Sequence, residues 1–313
     1  MKKLHLFAAK LNLSLRRCVG LCPSRFCCIR GFPKSGTNWV GNLLRLHPDV
    51  YVSGEWAFGG IAEALNERTK LYWTESHNPS LKGVFEREQR KLFKKHYLLQ
   101  FALGGGAGCP KWICDQTPAP VYPEVIPGAP VIYVVRNIRD IAVSRAFHLL
   151  RHDGDWGIKE YPVMRELYQK YHGKLEMLEG HPQLLLSDFD WVEDTVRTWA
   201  ERVRLDVSGN LEDSTYLTSD DRNDARLHIV KYEDLHADIE GARSKMYEFL
   251  ELDPARAAEL DTGKVKTTPG FKKENPNAFF RSGKVNGWKR YWNDDLEKIV
   301  QRVAGEVIRE FYP

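Results

Sequence analysis

A loop spanning residues 30–38 carries the side chains and backbone best suited to bind a phosphate group. It joins an apolar run, 26–29, to a helical pattern, and its glycines and proline end the run. Unpaired N–H groups and the positive end of the helix dipole attract anions at such a junction. Lys34 adds a cation, and Gly36 lets the backbone approach a ligand closely. Short hydrogen-bonding side chains lie at Ser35, Thr37 and Asn38. The pattern also fits a strand–helix turn that binds no ligand.

Arg136 and Ser144 form a second candidate phosphate site. Arg136 follows residues 131–135, which are apolar throughout, as in a strand covered on both faces. Ser144 lies about one turn into the helix predicted next, so a guanidinium and a hydroxyl can converge on one phosphate. The alternative is an arginine that only holds the start of this helix.

Two carboxylates are candidates for a general base. Asp115 ends a predicted strand, 111–115, and ligands gather outside the carboxyl ends of parallel strands. It fits the N-cap of a following helix equally well. Glu55 follows Gly54 in a loop, and most glutamates in such loops are simply solvated.

Four segments resemble, in order, the motifs of the sulfotransferases that use PAPS, 3′-phosphoadenosine 5′-phosphosulfate. They are 26–55, 112–150, 227–234 and 266–292. The loop Pro-Lys-Ser-Gly-Thr at 33–37 resembles the 5′-phosphosulfate loop, and not a Walker A loop, because Lys34 precedes Gly36. The stretch from Arg136 to Ser144 resembles the 3′-phosphate motif.

The resemblance implies a role for each cofactor-binding candidate. Lys34 and residues 35–38 bind the phosphosulfate. Trp39 stacks on the adenine, and Tyr232 of a Tyr-Glu-Asp motif lies near it. The 3′-phosphate is held by Arg136, Ser144, Arg281 and Gly283, with Ser282 standing where a lysine is common.

The resemblance also ranks the two carboxylates. Tyrosylprotein sulfotransferases and bacterial relatives have His-Pro-x-Val and then Gly-Glu after the loop-helix, and the glutamate is the base. Glu55 matches it. Cytosolic members carry a catalytic histidine near residues 113–115, where this chain reads Ile-Cys-Asp. Glu55 is therefore the first choice for the base and Asp115 the second.

The composition is that of a globular α/β protein. Of 313 residues, 42% are hydrophobic and 28% charged, so a large core is available. Length alone suggests about two domains. The resemblance instead implies a single α/β domain at 25–313, with a central, mainly parallel sheet, helices on both faces, a P-loop-like loop and an N-terminal extension at 1–24.

The net charge, the N-terminal residues and the cysteines limit the partners and the location that the sequence predicts. A net charge of +4 is too small to indicate nucleic acid. Residues 1–22 contain no apolar run long enough for a transmembrane segment, although a basic amphipathic helix there fits peripheral membrane contact as well as simple packing. The six cysteines show no matched metal-ligand spacing and are interpreted as reduced thiols of a cytoplasmic protein.

The sequence thus predicts transfer of a sulfuryl group from PAPS to an acceptor, releasing adenosine 3′,5′-bisphosphate (PAP) without a metal. The expected acceptor is a hydroxyl of a small molecule, a glycan or a peptide. Two alternatives are a nucleotide-dependent kinase that uses Asp115 for Mg²⁺ and a non-catalytic PAPS- or PAP-binding module. Turnover distinguishes the module from the enzyme.

Overall fold

The centre of the fold is a parallel sheet. The computed structural model describes residues 24–53, 55, 109–118, 129–154, 157–207, 227–260, 275–277 and 281–312. Five strands in these ranges pair in the order β2-β3-β1-β4-β5, every pair parallel. They are β1 Arg25–Gly31, β2 Val50–Val52, β3 Trp112–Gln116, β4 Val131–Val135 and β5 Leu227–Lys231. The predicted α/β class and parallel sheet are confirmed.

Seven α-helices lie in the described residues. They are α1 Thr37–Leu44, α2 Ile138–Arg151, α3 Pro162–Tyr171, α4 Phe189–Val207, α5 Tyr232–Ala237, α6 Ile239–Phe249 and α7 Asp294–Phe311. Short 3-10 segments lie at Leu175–Gly180, Pro182–Leu184, Pro254–Arg256 and Gly287–Arg290. Asn137 caps α2 and Asn293 caps α7, each accepting a hydrogen bond from a backbone N–H of the first turn.

The sheet separates two hydrophobic cores. Neighbouring residues of a strand point to opposite faces, so Cys28 lies in one core, and Cys27 and Ile29 lie in the other. Helices α2, α4 and α7 enclose the first core, which contains the fully buried Trp191 and Trp199. Helices α1 and α6 cover the second. Helices therefore cover both faces, as predicted.

Helix α2 is fixed to the C-terminal part of the chain. The Arg139 guanidinium donates two hydrogen bonds to the Glu297 carboxylate on α7, at 2.5 and 2.8 Å. These bonds lower the pKa of Glu297 to about 2. The Asp140 carboxylate accepts hydrogen bonds from the backbone N–H groups of Asn286 and Trp288, at 2.9 and 3.0 Å. The loop that begins at Arg281 is thereby held against α2.

The predictions for the N-terminal extension and for membrane spans can be compared only with the described residues. The N-terminal extension, apart from Ser24, lies outside them, so the division at residue 25 stays a prediction. Among the residues described, no helix is long and apolar enough to cross a bilayer.

Cys27, Cys28 and Cys114 are buried free thiols, but Cys109 is disulfide-bonded to a partner outside the described ranges. The prediction that all six cysteines are reduced is therefore wrong at Cys109.

Candidate active site

A cavity of about 400 Å³ lies at the carboxyl ends of β1, β4 and β5. Because these strands are neighbours and parallel, the segments that follow them meet at one edge of the sheet. The segments are the loop after Gly31, Arg136 at the start of the α2 connection, and Tyr232 at the start of α5. Residues far apart in the sequence thus converge here.

The loop before α1 has a backbone that only a few residue types tolerate. Lys34 has a φ of 75° and Gly36 a φ of 109°, both in the left-handed region. A Cβ atom at Gly36 would come 2.5 Å from the Tyr232 ring, so this position also lacks space for a side chain. The Trp39 N–H group donates to the Gly36 carbonyl, but the N–H groups before it have no carbonyl of the helix to bind, and residues 36–38 line the cavity. The loop therefore offers an anion site.

Lys34 is the most strongly perturbed cation in the cavity. Its pKa is lowered to about 8, first by burial and then by the positive charges of Arg151, Arg136 and Arg281. The Glu55 carboxylate opposes this and raises the pKa. An anion bound in the cavity would relieve the repulsion among these cations.

Arg136 connects the loop to two other segments. Its guanidinium donates to the carbonyl of Lys34 at 3.1 Å and to the carbonyl of Lys284 at 3.0 Å. It lies over the Tyr232 ring, 4.1 Å from the centroid, and the Tyr232 hydroxyl donates to the Gly283 carbonyl at 2.8 Å. Within the described residues its buried Nε has no hydrogen-bond partner, so one donor is left for a ligand.

An aromatic wall stands beside the loop. The Trp39 and Tyr232 rings contact each other edge to face with centroids 5.3 Å apart, and both line the cavity. His236 contacts both rings, at 4.8 and 5.1 Å. Such a wall can hold a planar heterocycle.

Glu55 lies in the cavity at the end of a hydrogen-bonded chain. The Asn38 amide donates to the Glu55 carboxylate at 2.5 Å. The Gln116 amide in turn donates to the Asn38 side-chain oxygen, also at 2.5 Å. Gly41 leaves room for the Gln116 side chain, because a Cβ there would collide with it. Strand β3 and helix α1 therefore fix the position of the carboxylate.

Asp115 has different surroundings. It lies within β3, where its carboxylate forms an ion pair with the Arg30 guanidinium at 2.6 Å. Both side chains are buried, 1% and 3% exposed, and Thr117 donates a further hydrogen bond. Asp115 does not line the cavity, and its place inside a strand excludes the N-cap alternative.

Most of the predicted site residues line this one cavity. They are Lys34, Gly36, Thr37, Asn38, Trp39, Glu55, Arg136, Ser144, Tyr232, Arg281, Ser282 and Gly283. Besides Asp115, Ser35 is not among the lining residues, and its buried hydroxyl has no partner in the described part of the chain. Cations outnumber carboxylates in the lining, so the cavity suits a polyanionic ligand.

Two family models match the chain. One, described as "Sulfotransferase domain", matches residues 117–311, and the other, "Sulfotransferase family", matches residues 27–188. The chain belongs to the sulfotransferase family. The reaction is PAPS-dependent transfer of a sulfuryl group, and the predicted family, activity and cosubstrate are confirmed.

Curated relatives of this sulfotransferase are distant in sequence but cover most of it. Sulfotransferase 1E1 of Rattus norvegicus is 23% identical over 294 residues, which cover 85% of this chain and 78% of the relative. The amine sulfotransferase of Oryctolagus cuniculus is 22% identical over 304 residues, covering 90% and 79%.

Solved structures of other sulfotransferases are also similar to this chain, at low sequence identity. Mouse sulfotransferase SULT7A1, solved in complex with PAP, is 16% identical, with a TM-score of 0.49 and coverage of 95% of this chain and 91% of that one. Sulfotransferase STF9 from Mycobacterium avium is 12% identical, with a TM-score of 0.43 and coverage of 95% and 79%.

One face of α2 adds site residues that the sequence prediction missed. Ser144, Arg145, His148 and Leu149 all line the cavity of the sulfotransferase. Their spacing of three and four residues places them on one side of the helix. Ser144 had been identified, so this spacing was the available signal for the others. Pro33 and Pro118 complete the lining.

His148 is a neutral group in this cavity. Its pKa is lowered to about 3, mainly by burial and next by the positive charge of Lys34. Its Nδ1 lies 2.9 Å from the Arg151 guanidinium. Because arginine can only donate, this Nδ1 accepts, and the neutral ring carries its proton on Nε2. His148 is therefore a donor on the Nε2 side and not a base there.

Proposed function

We propose that the cavity binds PAPS along the loop of 33–39 and transfers its sulfuryl group to an acceptor hydroxyl, with Lys34 and Glu55 as the catalytic residues. The observation that carries the proposal is the presence of Lys34 and Glu55 in one cavity with Arg136. The cavity contains several positive charges besides Lys34, so it favours a polyanionic cosubstrate.

The 3′-phosphate is assigned to the end of the cavity formed by Arg136, Ser144 and the loop at 281–283. The free Nε donor of Arg136 supports this assignment, since a phosphate can accept it together with the Ser144 hydroxyl. The two hydrogen bonds that the Asp140 carboxylate accepts hold the segment that follows Arg281 against α2. Trp39 and Tyr232 provide the wall for the adenine.

Lys34 acts at the 5′ end, with the N–H groups at the start of α1. PAPS supplies the sulfuryl group when bound. As in phosphoryl transfer, such a reaction depends on alignment and on donors placed where negative charge develops on the leaving oxygen. We place Lys34 at this position. The Arg136 guanidinium donates a hydrogen bond to the Lys34 carbonyl and so fixes the loop.

Glu55 is the proposed general base. The acceptor hydroxyl loses its proton as its oxygen attacks sulfur, and the Glu55 carboxylate takes that proton. The Asn38 amide fixes one carboxylate oxygen by a 2.5 Å hydrogen bond, which leaves the second oxygen for the acceptor. Asp115, the second choice, is already engaged by Arg30 outside the cavity.

The described residues offer no set of Mg²⁺ ligands for the kinase alternative. Asp115 was its candidate Mg²⁺ carboxylate, and it is held in the ion pair with Arg30. Among the residues described, no cluster of three histidine, cysteine or acidic side chains could hold a metal ion.

The cytoplasm remains the proposed location. The buried free thiols Cys27, Cys28 and Cys114 support it, and the disulfide at Cys109 opposes it, because disulfides are rare in the cytosol. Thiol counting on denatured, non-reduced protein from its natural source tests this proposal. Six free thiols support the cytoplasm, and four contradict it.

Ligand-dependent melting tests the cosubstrate assignment. We expect PAP to raise the melting temperature far more than AMP does, without metal, because only PAP reaches the Arg136–Ser144 end. A ligand at a hundred times its dissociation constant adds about 2.7 kcal/mol. The Arg136→Gln variant is expected to reduce the PAP shift to the AMP level. Stronger stabilisation by ATP with Mg²⁺ than by PAP would contradict the proposal.

A further inference from the structure

Arg145 is a cavity-lining cation with no role in the PAPS site as proposed. It follows Ser144 on α2, and its guanidinium makes no hydrogen bond or ion pair within the described residues. Its guanidinium carbon lies 5.4 Å from the Phe32 ring centroid. Arg145 is only partly buried, so its guanidinium is accessible to a ligand that enters the cavity.

The surroundings of Arg145 differ from those of the arginines assigned to the 3′-phosphate. Arg136 lies over Tyr232 and donates to Lys284, on the side of β5 and the C-terminal loop. Arg145 instead lies beside the Phe32 ring, and the carboxylate of Asp194 on α4 attracts it from a distance.

Asp194 forms no ion pair with Arg145, and its carboxylate has other partners. It accepts a 3.0 Å hydrogen bond from the Tyr161 hydroxyl and lies 3.8 Å from the Arg197 guanidinium. Neither α3 nor α4 contributes to the cavity lining described here. The Arg145 guanidinium is thus available to an anion within the cavity.

Part of the cavity lining that contains Arg145 is apolar or neutral. Pro33, Pro118 and Leu149 supply apolar surface, and the neutral His148 lies one turn further along α2. The Glu55 carboxylate lines the same cavity of about 400 Å³, so a hydroxyl at Glu55 and an anion at Arg145 can belong to one molecule.

We infer that the acceptor is a hydroxylated acid, a molecule with an apolar body that carries a carboxylate or another anionic group, which Arg145 binds. This inference rests on the proposed function, since it needs the nucleotide to occupy Arg136, Ser144 and Lys34. Arg145 is then a specificity-determining residue that touches the acceptor and not the transferred group. The acid group contributes binding energy and orients the hydroxyl towards Glu55.

A matched pair of phenols tests the inference. The probes are 3-(4-hydroxyphenyl)propanoate and its uncharged amide, titrated calorimetrically into protein saturated with PAP and assayed for turnover with PAPS. We expect the acid to bind roughly ten- to a hundredfold more tightly than the amide, the range for one charge-assisted contact. Arg145→Gln should abolish this preference and leave PAP affinity unchanged. The exposed Arg165→Gln on α3 is the control and should retain it.

The outcomes separate the inference from the proposed function. Equal binding of acid and amide, binding of neither probe, or a preference that survives Arg145→Gln overturns the inference. Failure of the protein to bind PAP overturns the proposed function instead. An acid preference that depends on Arg145 in protein that binds PAP, but whose Glu55→Gln variant turns over normally, supports the inference and contradicts only the proposed base.

Discussion

Lys34 is a buried cation whose charge is disfavoured by its burial and by the arginines near it. Its pKa of about 8 means that the ligand-free protein begins to lose this charge slightly above neutral pH. A bound anion stabilises the charged form, so binding raises the pKa and draws a proton from solution. The same group therefore links cosubstrate affinity to pH.

We expect PAP to bind with proton uptake at pH 8.5, and its affinity to fall as the pH rises above about 8. Calorimetric titration in buffers of different ionisation enthalpy measures the protons taken up. Lys34→Met should bind PAP more weakly and take up none, whereas Lys245→Met, at an exposed position on α6, should behave like the wild type. Uptake that persists in Lys34→Met would assign the proton to another group.

The lowered pKa of Lys34 also predicts a change in stability. Between pH 8 and 10.5 the unfolded chain binds more protons at this residue than the folded protein does, so the residue's contribution to stability rises with pH. Lys34→Met removes the penalty and should be more stable than the wild type at pH 7. Urea unfolding at pH 7 and pH 10 is the measurement, and an advantage that does not shrink at pH 10 contradicts this explanation.

At the scale of elements, the loop at 281–283 has a position set by helix α2 rather than by its own sequence. Asp140 accepts hydrogen bonds from the backbone N–H groups of Asn286 and Trp288, which follow this loop, and it is only 3% exposed. Replacing it by asparagine substitutes a donor for one of the two acceptors, so one N–H group loses its partner.

We therefore expect Asp140→Asn to weaken PAP binding about tenfold or more, the scale of one charge-assisted hydrogen bond, while AMP binding changes little. Asn293→Ala, which removes the cap of α7, is the control. It should lower the melting temperature without changing the ratio of PAP to AMP affinity. Equal losses for PAP and AMP in Asp140→Asn would show that the loop does not bind the 3′-phosphate.

The elements were predictable where one local signal determined them. The apolar runs at 26–29 and 131–135 fell within β1 and β4, because a strand buried on both faces needs apolar residues throughout. Helix α2 begins at Ile138, since Asn137 caps it. Contacts between distant segments were less accessible. The Gln116–Asn38–Glu55 chain depends on β3 lying beside β1, which no local pattern encodes.

At the scale of the whole molecule, the register of the sheet accounts for the surroundings of Asp115, which stays the second candidate for the base. Asp115 pairs with Cys28 in the register of β3 against β1, so its side chain meets Arg30 of the same sheet. The strand end indicated an active-site carboxylate, and only the register reveals the buried ion pair.

Asp115→Asn should consequently destabilise the fold, by about 3–5 kcal/mol, because it leaves the Arg30 guanidinium buried without a carboxylate. Urea unfolding measures the loss. The double variant Arg30→Met with Asp115→Leu should lose less, since both charges are removed together. Normal stability of Asp115→Asn combined with a collapse in turnover would make Asp115 catalytic after all.

One measurement tests the assignment of Glu55 as the general base most directly. It is single-turnover transfer of labelled sulfuryl groups from PAPS to the best phenol or alcohol found by screening, for the wild type, Glu55→Gln and Asp115→Asn. A positioned base contributes about 10²–10⁴ in rate. We predict that Glu55→Gln binds PAP normally and loses a factor in this range, while Asp115→Asn, corrected for its folded fraction, keeps a rate near that of the wild type. A near-normal rate in Glu55→Gln would contradict the account.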